Sequence, residues 1–355
     1  LEMWPILSRE NTEALTEISK LSPDLDTYAL VRPGFQEDLD LAHRCGAAGV
    51  MVFTLSLNDW IAEHALRKNA DRIVDEIVEG IALAKSDGFK VVCGPGDAFR
   101  TPPARLRRLF SEAVEAGVDS VSVNDSLGQA LPSTFEALTR EVRTWVGNRV
   151  EIETHCHNDF GMATANTLAG VRGGADVVEC AINGVGERAG NASLEEVAVG
   201  AEILLGLDTG LDLTRLLEMC RLASDVMGRE VPVNKAVTGM SLHHIWTSLH
   251  AAWRDRVSKA GRPEAWTPFV PSVIGRDGYQ VDLGPMAGKN LIRMKLLELE
   301  LSVPEEALGL IRDRVKEEGR VRKAPVPMQE FRRIVEQVLK ETGLAAQPVT
   351  GGLDG

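Results

Sequence analysis

Short apolar segments alternate with longer amphipathic segments through the first 210 residues, and this alternation constrains the fold more than any other feature. The apolar segments predict strands at 27–32, 49–55, 89–93, 120–124, 150–155 and 176–182. The amphipathic segments between them predict helices that include 37–45, 70–86, 104–116 and 133–146. Strands and helices in this order form a parallel sheet with right-handed crossover connections.

Polar residues gather at the carboxyl ends of the predicted strands. They are Arg32, Asp97, Arg100, Asn124, Asp125, Ser126, His155, His157, Asn183 and Glu187. An open doubly wound sheet binds its ligand at one switch point, whereas a closed barrel uses the ends of many strands. The sequence therefore predicts an α/β fold, a (β/α)8 TIM barrel, over residues 1–210.

His155 and His157 occupy alternate positions at the end of a predicted strand, so both point to the same side. Two neutral imidazoles with oxygen ligands nearby suit a divalent metal ion. The alternative is a pair of polar residues that bind backbone groups at a strand end. A second polar cluster at 183–191 also follows a strand and precedes a helix, and this repetition favours the metal site.

Composition indicates a soluble enzyme. The chain has 355 residues, 44% of them hydrophobic, and a net charge of −13, which argues against a nucleic-acid partner. The five cysteines show no CxxC spacing, so reduced thiols in the cytoplasm are expected. We find no apolar run of membrane length and no secretory signal, and we predict no membrane partner.

Four motifs give the chain a resemblance to a known enzyme family. They are GPGDAFRT at 94–101, VNDSLG at 123–128, HCHND at 155–159 and GVGERAGN at 184–191. Together they resemble the DRE-TIM metallolyase superfamily, and within it the acetyl-CoA-dependent synthases of isopropylmalate, homocitrate and citramalate. The lyase branch, typified by hydroxymethylglutaryl-CoA lyase, carries a cysteine-containing glycine loop where this chain has GERAG at 186–190, which favours a synthase.

The resemblance implies a reaction, its partners and a set of site residues. A divalent cation, Mg, Mn or Zn, polarises the ketone of a 2-oxo acid, which condenses with acetyl-CoA to a malate-type 2-hydroxy acid. The implied metal ligands are His155, His157 and Asn191. The implied substrate-binding residues are Arg100, Ser126, Asn158 and Arg188, and Glu187 is an implied catalytic residue.

Several of these residues have a structural alternative. Glu187 and Arg188 are expected to form an ion pair that shapes the loop over the metal, or simply a surface pair. Arg100 either binds a substrate anion or holds Asp97. Asn158 either contacts the substrate or stabilises the conformation of its own loop.

One family motif is missing from the sequence. Members of the superfamily begin the barrel with an Asp-x-Thr-Leu-Arg-Asp-Gly-like strand end, which supplies an acidic metal ligand and a catalytic arginine. Here Leu1-Glu2-Met3 resembles the end of the second strand, and seven strand ends are predicted. Arg276-Asp277-Gly278 mimics the motif but lies in the C-terminal region. We expect a preceding N-terminal segment; the alternative is a truncated enzyme that binds metal poorly.

The region after the barrel is predicted to be helical, at 211–227, 240–259, 304–317 and 327–341. It resembles the helical subdomain of the synthases (211–345), which covers the active site, and a flexible tail follows at 346–355. His244 matches a family histidine, placed on a helix, that helps to deprotonate acetyl-CoA, and Tyr279 resembles a family tyrosine. A histidine on a helix surface is the alternative.

Three tryptophans in this region, Trp246, Trp253 and Trp266, suggest an apolar surface and hence a homodimer.

Departures from the family pattern leave the substrate open. Gly96 stands where the synthases usually have Glu, Ile61 where they often have His, and Trp246 where many have Asp. These changes make an unusual 2-oxo acid plausible. Two alternatives to the synthase remain: a metal-dependent lyase or aldolase on the same scaffold, and a non-catalytic relative, which Gly96 and the missing first strand keep open.

Overall fold

The computed structural model describes residues 1–349, and residues 350–355 lie outside the described part. The chain divides into two compact units, Leu1–Thr209 and the region from Gly210 onward. Among the described residues, no helix combines the length and the apolar character needed to cross a bilayer.

The first unit contains one sheet of seven parallel strands that follow one another in chain order. The strands are β1 (Glu2–Met3), β2 (Tyr28–Val31), β3 (Gly49–Thr54), β4 (Lys90–Pro95), β5 (Ser120–Asp125), β6 (Glu151–Cys156) and β7 (Val177–Val178). The sheet is curled, because carboxylate oxygens of Glu2 in β1 and of Glu179, just after β7, lie within 4.8 Å of each other.

Helices connect the strands as the amphipathic segments predicted. They are α1 (Arg9–Leu21), α2 (Gln36–Cys45), α3 (Asp59–His64), α4 (Ala70–Ser86), α5 (Pro103–Glu115), α6 (Pro132–Val146), α7 (Ala163–Gly173) and α8 (Leu194–Leu205). Side-chain caps start several of them: Asn58 and Asn69 each accept hydrogen bonds from the first backbone N–H groups of α3 and α4. The prediction of a TIM-barrel fold is confirmed.

The two-residue period of the strands separates the core from the barrel interior. Val50, Val52, Val121 and Val123 belong to the buried core that the strands share with the helices. The alternate residues of the same strands therefore point the other way, into the barrel. All six residues of β5 and five of the six residues of β3 are buried, as expected for the central strands of a parallel sheet, whereas the residues of the short strands β1 and β7 are half-buried.

The last predicted strand of the barrel is shorter than expected. Only Val177–Val178 pair in the sheet, and Ile182–Gly184 form a 3₁₀ turn in which Asn183 has φ 59°. The chain turns at this point and enters the GVGERAGN loop.

The second unit is mainly helical. It contains α9 (Leu216–Met227), β8 (His244–Ile245), α10 (Ser248–Lys259), β9 (Gln280–Val281), α11 (Lys289–Glu298), β10 (Leu301–Ser302), α12 (Glu305–Arg322), α13 (Met328–Thr342) and β11 (Gln347–Pro348). β8 pairs with β9 in parallel, and β10 pairs with β11 in antiparallel orientation. β11 lies within the segment predicted as a tail, 346–355, of which 350–355 fall outside the described residues.

The prediction of one continuous helix over 240–259 is wrong. Met240–His243 form a 3₁₀ turn, His244 and Ile245 form β8, and the helix begins only at Ser248. Thr247 marks the true start, because its hydroxyl accepts a hydrogen bond from the N–H of His250. His244 therefore lies on a strand, and its register is set by β9.

Two glycines of α12 provide a matched test of packing in the second unit. A Cβ at Gly309 would meet nothing within 4 Å, whereas a Cβ at Gly319 would lie 2.8 Å from Gly284 Cα and from the Pro285 ring. We expect Gly309→Ala to raise the free energy of unfolding by about 0.5–1 kcal/mol through helix propensity. Gly319→Ala should lower it by about 1–3 kcal/mol through overpacking. Urea denaturation followed by circular dichroism measures both, and equal effects would contradict this packing.

Candidate active site

A cavity of about 310 Å³ lies at the carboxyl ends of the strands in the first unit. Its lining includes six of the site residues that the family resemblance implies: Arg100, Ser126, His155, His157, Glu187 and Arg188. The remaining lining residues are Glu2, Leu30, Met51, Phe53, Leu55, Ile61, Asp97, Asn124, Leu127 and Glu179. The location matches the functional face of TIM-barrel enzymes, where the loops after the strands meet.

The two histidines of the HCHND motif converge in this cavity. The Nε2 atoms of His155 and His157 lie 3.2 Å apart. Two nitrogen ligands that are each about 2.1 Å from one metal ion are separated by roughly 3 Å. The spacing therefore fits two imidazoles on a single divalent cation.

Glu179 fixes the orientation of His155. The Nδ1–H of His155 donates to Oε2 of Glu179 at 2.7 Å, so Nε2 is the nitrogen that faces His157 Nε2 in the cavity. Burial works against the charged form of His155, but the carboxylate of Glu179 outweighs it and raises the pKa of His155. Carboxylate–imidazole pairs of this kind hold metal-binding histidines in proteins.

The surroundings of His157 favour its neutral form. Burial lowers the pKa of His157, and the positive charges of His155 and Arg188 lower it further. A metal ion binds neutral imidazole, so this shift prepares the side chain for ligation. Its Nδ1 is buried and has no hydrogen-bond partner among residues 1–349.

Asn191 lies next to the histidines, because its backbone forms an isolated antiparallel bridge with His157. Its Oδ1 is buried and has no hydrogen-bond partner in the described part of the chain, as expected of an oxygen that awaits a cation. Glycines shape its loop: a Cβ at Gly186 would lie 2.6 Å from Asn191 Nδ2, and one at Gly190 only 1.9 Å from Gly184 O. Asn191 is not among the residues that line the cavity, but imidazole nitrogens and an amide oxygen are donor types that suit a divalent metal.

Three carboxylates that the sequence reasoning missed lie beside the histidines. Glu2, Glu153 and Glu179 bring ligand atoms within 4.8 Å of one another. Burial and the neighbouring Glu179 charge raise the pKa of Glu153 to about 7, and the same causes raise the pKa of Glu2. The signal for Glu153 was present, because it lies two residues before His155 and so on the same face of β6.

Asp97 organises the loop after β4. It is buried, has φ 60°, and accepts two hydrogen bonds from the guanidinium of Arg100 at 2.8 Å and one from Ser56 Oγ. Its own N–H donates to Ser126 Oγ at 2.8 Å. Arg100 thus lines the cavity but is held by Asp97, which was the structural alternative for this residue.

Arg188 is paired with Asp159 more closely than with Glu187. Its Nε and Nη2 each donate to Asp159 at 2.9 Å, and Nη2 also donates to the backbone oxygen of Ser126. Arg188 lowers the pKa of Asp159. Glu187 lies 3.7 Å from Arg188, and its side chain is 80% exposed at the rim. The pairing of Arg188 with Asp159 connects the glycine loop (184–191) to the loop that contains the HCHND motif (155–159).

Asn158 does not line the cavity. Its Oδ1 accepts a hydrogen bond from the N–H of Ala163, the first residue of α7, and its own N–H donates to Gly190 O. The side chain thus ties the start of the helix to its loop, which was the alternative to substrate contact.

The second unit has a cavity of its own, about 450 Å³ in volume, which His244 and Tyr279 both line. The Nδ1–H of His244 donates to Asp282 Oδ2 at 2.6 Å. The Tyr279 hydroxyl is buried without a partner in the described residues, and the Arg254 guanidinium lies 4.9 Å from its ring centre. Arg276 binds the backbone oxygens of residues 238–240, so the Arg-Asp-Gly tripeptide belongs to this unit.

His243, next to His244, has different surroundings. It is buried, its Nε2 lies 3.3 Å from Phe269 O, and its ring packs edge-on against Phe269 and Tyr279. Burial lowers its pKa. The predicted site residues thus form two groups, one in each unit.

Comparison with known proteins gives a consistent result. A family model described as HMGL-like matches residues 2–223. Homocitrate synthase AksA of Methanopyrus kandleri is 32% identical over 340 residues, which cover 96% of this chain and 83% of that protein. The 2-isopropylmalate synthase of Methanocaldococcus jannaschii is 32% identical over 303 residues, 85% of this chain and 57% of that protein.

Among solved structures, the hydroxymethylglutaryl-CoA lyase from Pseudomonas aeruginosa aligns with a TM-score of 0.54 at 20% identity. The alignment covers 64% of this chain and 79% of that chain. At this identity, the likeness concerns the fold.

The metal site can be tested without measuring activity. We expect His155→Ala and His157→Ala each to lose most of the bound divalent metal, because each removes one ligand. Glu179→Gln should weaken metal binding by about 10–100-fold, because it only supports His155. Isothermal titration of the chelator-treated protein with Mn²⁺ or Zn²⁺ measures the affinities.

His43→Ala is the matched control for this titration, because His43 lies on α2 and does not line the cavity. It should bind metal like the wild type. Wild-type affinity in both the His155→Ala and the His157→Ala variant would show that the metal binds elsewhere.

Proposed function

The chain belongs to the HMGL-like family, and on that basis we propose that it is an acyltransferase that condenses acetyl-CoA with a 2-oxo acid. A carbon–carbon bond forms between the acetyl methyl carbon, which loses a proton to a base, and the ketone carbon of the oxo acid, whose oxygen gains a proton and becomes the hydroxyl. Water then cleaves the thioester, which releases coenzyme A and a 2-hydroxy acid of the alkyl- or carboxyalkylmalate type. The observation that carries the proposal is the convergence of the His155 and His157 Nε2 atoms in the barrel cavity.

The proposed metal ligands are His155, His157 and Asn191. A divalent cation, Mg²⁺, Mn²⁺ or Zn²⁺, supplies Lewis acidity toward the oxo-acid carbonyl when it is bound there. The chain's own contribution is orientation: Glu179 holds His155, and the glycine loop holds Asn191. Side chains fixed in this way need no rearrangement before they bind.

Ser126 is the proposed contact to the substrate carboxylate. Its Oγ accepts a hydrogen bond from the Asp97 N–H, so its hydroxyl proton points elsewhere and is available for donation. Arg100 and Arg188 act as positioning residues in this proposal, because each is bound to an aspartate that shapes a loop of the cavity. Glu187 lies at the rim, where it can influence the charge near the entering substrate.

His244 is the proposed base for the acetyl methyl group. Its side chain is only 10% exposed, and Asp282 accepts its Nδ1–H, which leaves the Nε2 lone pair free to take a proton. A base oriented by a carboxylate is the arrangement that general-base catalysis uses repeatedly. His243 is less suited, because its ring is buried between Phe269 and Tyr279.

A lyase on the same scaffold remains the second candidate function. The lyase branch that the motifs resemble carries a cysteine in the glycine loop, and residues 186–190 of this chain are Gly-Glu-Arg-Ala-Gly. The synthase is therefore favoured.

We expect the purified protein, supplied with a divalent metal, to release coenzyme A from acetyl-CoA only when a suitable 2-oxo acid is present. Free thiol is measured with a colorimetric reagent across a panel of 2-oxo acids, and a chelator should abolish the release. Cleavage of a 3-hydroxyacyl-CoA without any oxo acid would support the lyase instead. Failure with every oxo acid in the panel would contradict the synthase proposal.

We expect His244→Ala to lower kcat by about a hundredfold or more, as is typical when a general base is lost. Exchange of deuterium from solvent into the methyl group of acetyl-CoA should fall in parallel. Asp282→Asn should lower both by a smaller factor, since Asp282 acts through His244. Metal affinity should not change in either variant, and His43→Ala serves as the control. An unchanged exchange rate in His244→Ala would exclude this histidine as the base.

A further inference from the structure

We propose that the 2-oxo acid condensed by this chain has an apolar side chain and no second carboxylate. The inference rests on the proposed function and names the substrate class of the same site. It follows from how apolar, polar and charged groups are distributed around the cavity of the first unit.

The interior of the barrel has one polar half and one apolar half. β5 and β6 point Ser122, Asn124, Glu153 and His155 inward, and Glu179 follows β7 on the same side. This half contains the candidate metal ligands, so the carbonyl and carboxylate of the oxo acid belong here.

The opposite half is apolar. β2 contributes Leu30, β3 contributes Met51 and Phe53, the following loop contributes Leu55, and α3 contributes Ile61. The ring of Trp4 packs edge-on against Phe53, with centroids 5.5 Å apart. A substrate held at the polar half therefore directs its third substituent toward this wall, because the ketone carbon carries only the oxygen, the carboxylate and the side chain.

β4, which lies between the two halves, offers no polar side chain to this wall. A Cβ at Gly94 would lie 2.6 Å from Met51 Sδ, and a Cβ at Gly96 would lie 2.3 Å from Leu55 O. Gly96 occupies the position at which the synthases that this chain resembles usually have a glutamate. The close approach to a backbone oxygen leaves no space for such a side chain, so position 96 adds no charged group to the cavity.

The arginines at the strand ends are already neutralised. Arg100 is bound by Asp97 and Arg188 by Asp159, each through two hydrogen bonds. Arg32, at the end of β2, is bound in the same way by Asp38 and does not line the cavity.

The residues that line the cavity in the described chain include no lysine, whereas the acids Glu2, Glu179 and Glu187 do line it. A second substrate carboxylate would therefore lose its hydration without gaining a counter-ion, which is unfavourable. An alkyl side chain on the same wall gains free energy from the apolar surface that it buries.

Matched substrate pairs test the inference. In oxaloacetate one methylene separates the ketone from a carboxylate. In 4-methyl-2-oxopentanoate one methylene separates the ketone from an isopropyl group. In 2-oxoglutarate and 5-methyl-2-oxohexanoate two methylenes separate the ketone from a carboxylate and from an isopropyl group, respectively. We expect kcat/KM, measured by release of coenzyme A, to be at least about a hundredfold higher for the alkyl member of each pair.

A substitution in the apolar half of the cavity tests whether this surface causes the preference for an alkyl side chain. Ile61→Lys places a cation on the short helix α3, where Ile61 is half-buried. Ile61→Lys should reduce the ratio of kcat/KM for the alkyl acid to kcat/KM for the dicarboxylic acid about tenfold or more. Ile61→Met, which is as apolar as the wild type, should leave this ratio unchanged. Metal affinity should be the same in both variants.

The outcomes separate the inference from the function on which it rests. Release of coenzyme A with no oxo acid at all would contradict the proposed function. Equal or faster turnover of 2-oxoglutarate or oxaloacetate would overturn the inference and leave the synthase in place. An unchanged preference in Ile61→Lys would show that this wall does not select the substrate.

Discussion

The two-residue period of the parallel strands is the constraint on which the rest of the structure depends. One set of side chains, such as Val121 and Val123, packs against the helices, and the alternate set lines the interior. The residues that pack the core and the residues that line the cavity therefore occupy alternate positions of the same strands. In β6 the period places His155 two residues after Glu153, and the buried carboxylate and the candidate ligand share one environment.

Much of the barrel could be predicted because its signals are local. The alternation of apolar and amphipathic segments predicted the order of strands and helices, and spacing alone placed His155 and His157 on one side. The resemblance to acetyl-CoA-dependent synthases is confirmed by relatives that are named as homocitrate and isopropylmalate synthases. Glu2 and Glu179 were missed because they are far apart in sequence and only the curl of the sheet brings them together.

Non-local contacts also explain the errors in the second unit. The segment 240–259 is amphipathic enough to resemble one helix, but His244 and Ile245 pair with Gln280–Val281. That pairing partner, and the carboxylate of Asp282 that binds His244, lie too far along the chain for a helical pattern to reveal. Tertiary contacts override local propensity in such segments.

Gly94 in β4 and Gly96, directly after β4, have a consequence for how this scaffold can change. Leu55 O occupies the space that a side chain at position 96 would need, so this position is closed to almost every point mutation. Drift in substrate range must therefore pass through neighbouring positions such as Leu30, Phe53 and Ile61. The backbone thus fixes the cavity surface at position 96, and the freedom to change the cavity is concentrated in the side chains of the apolar wall.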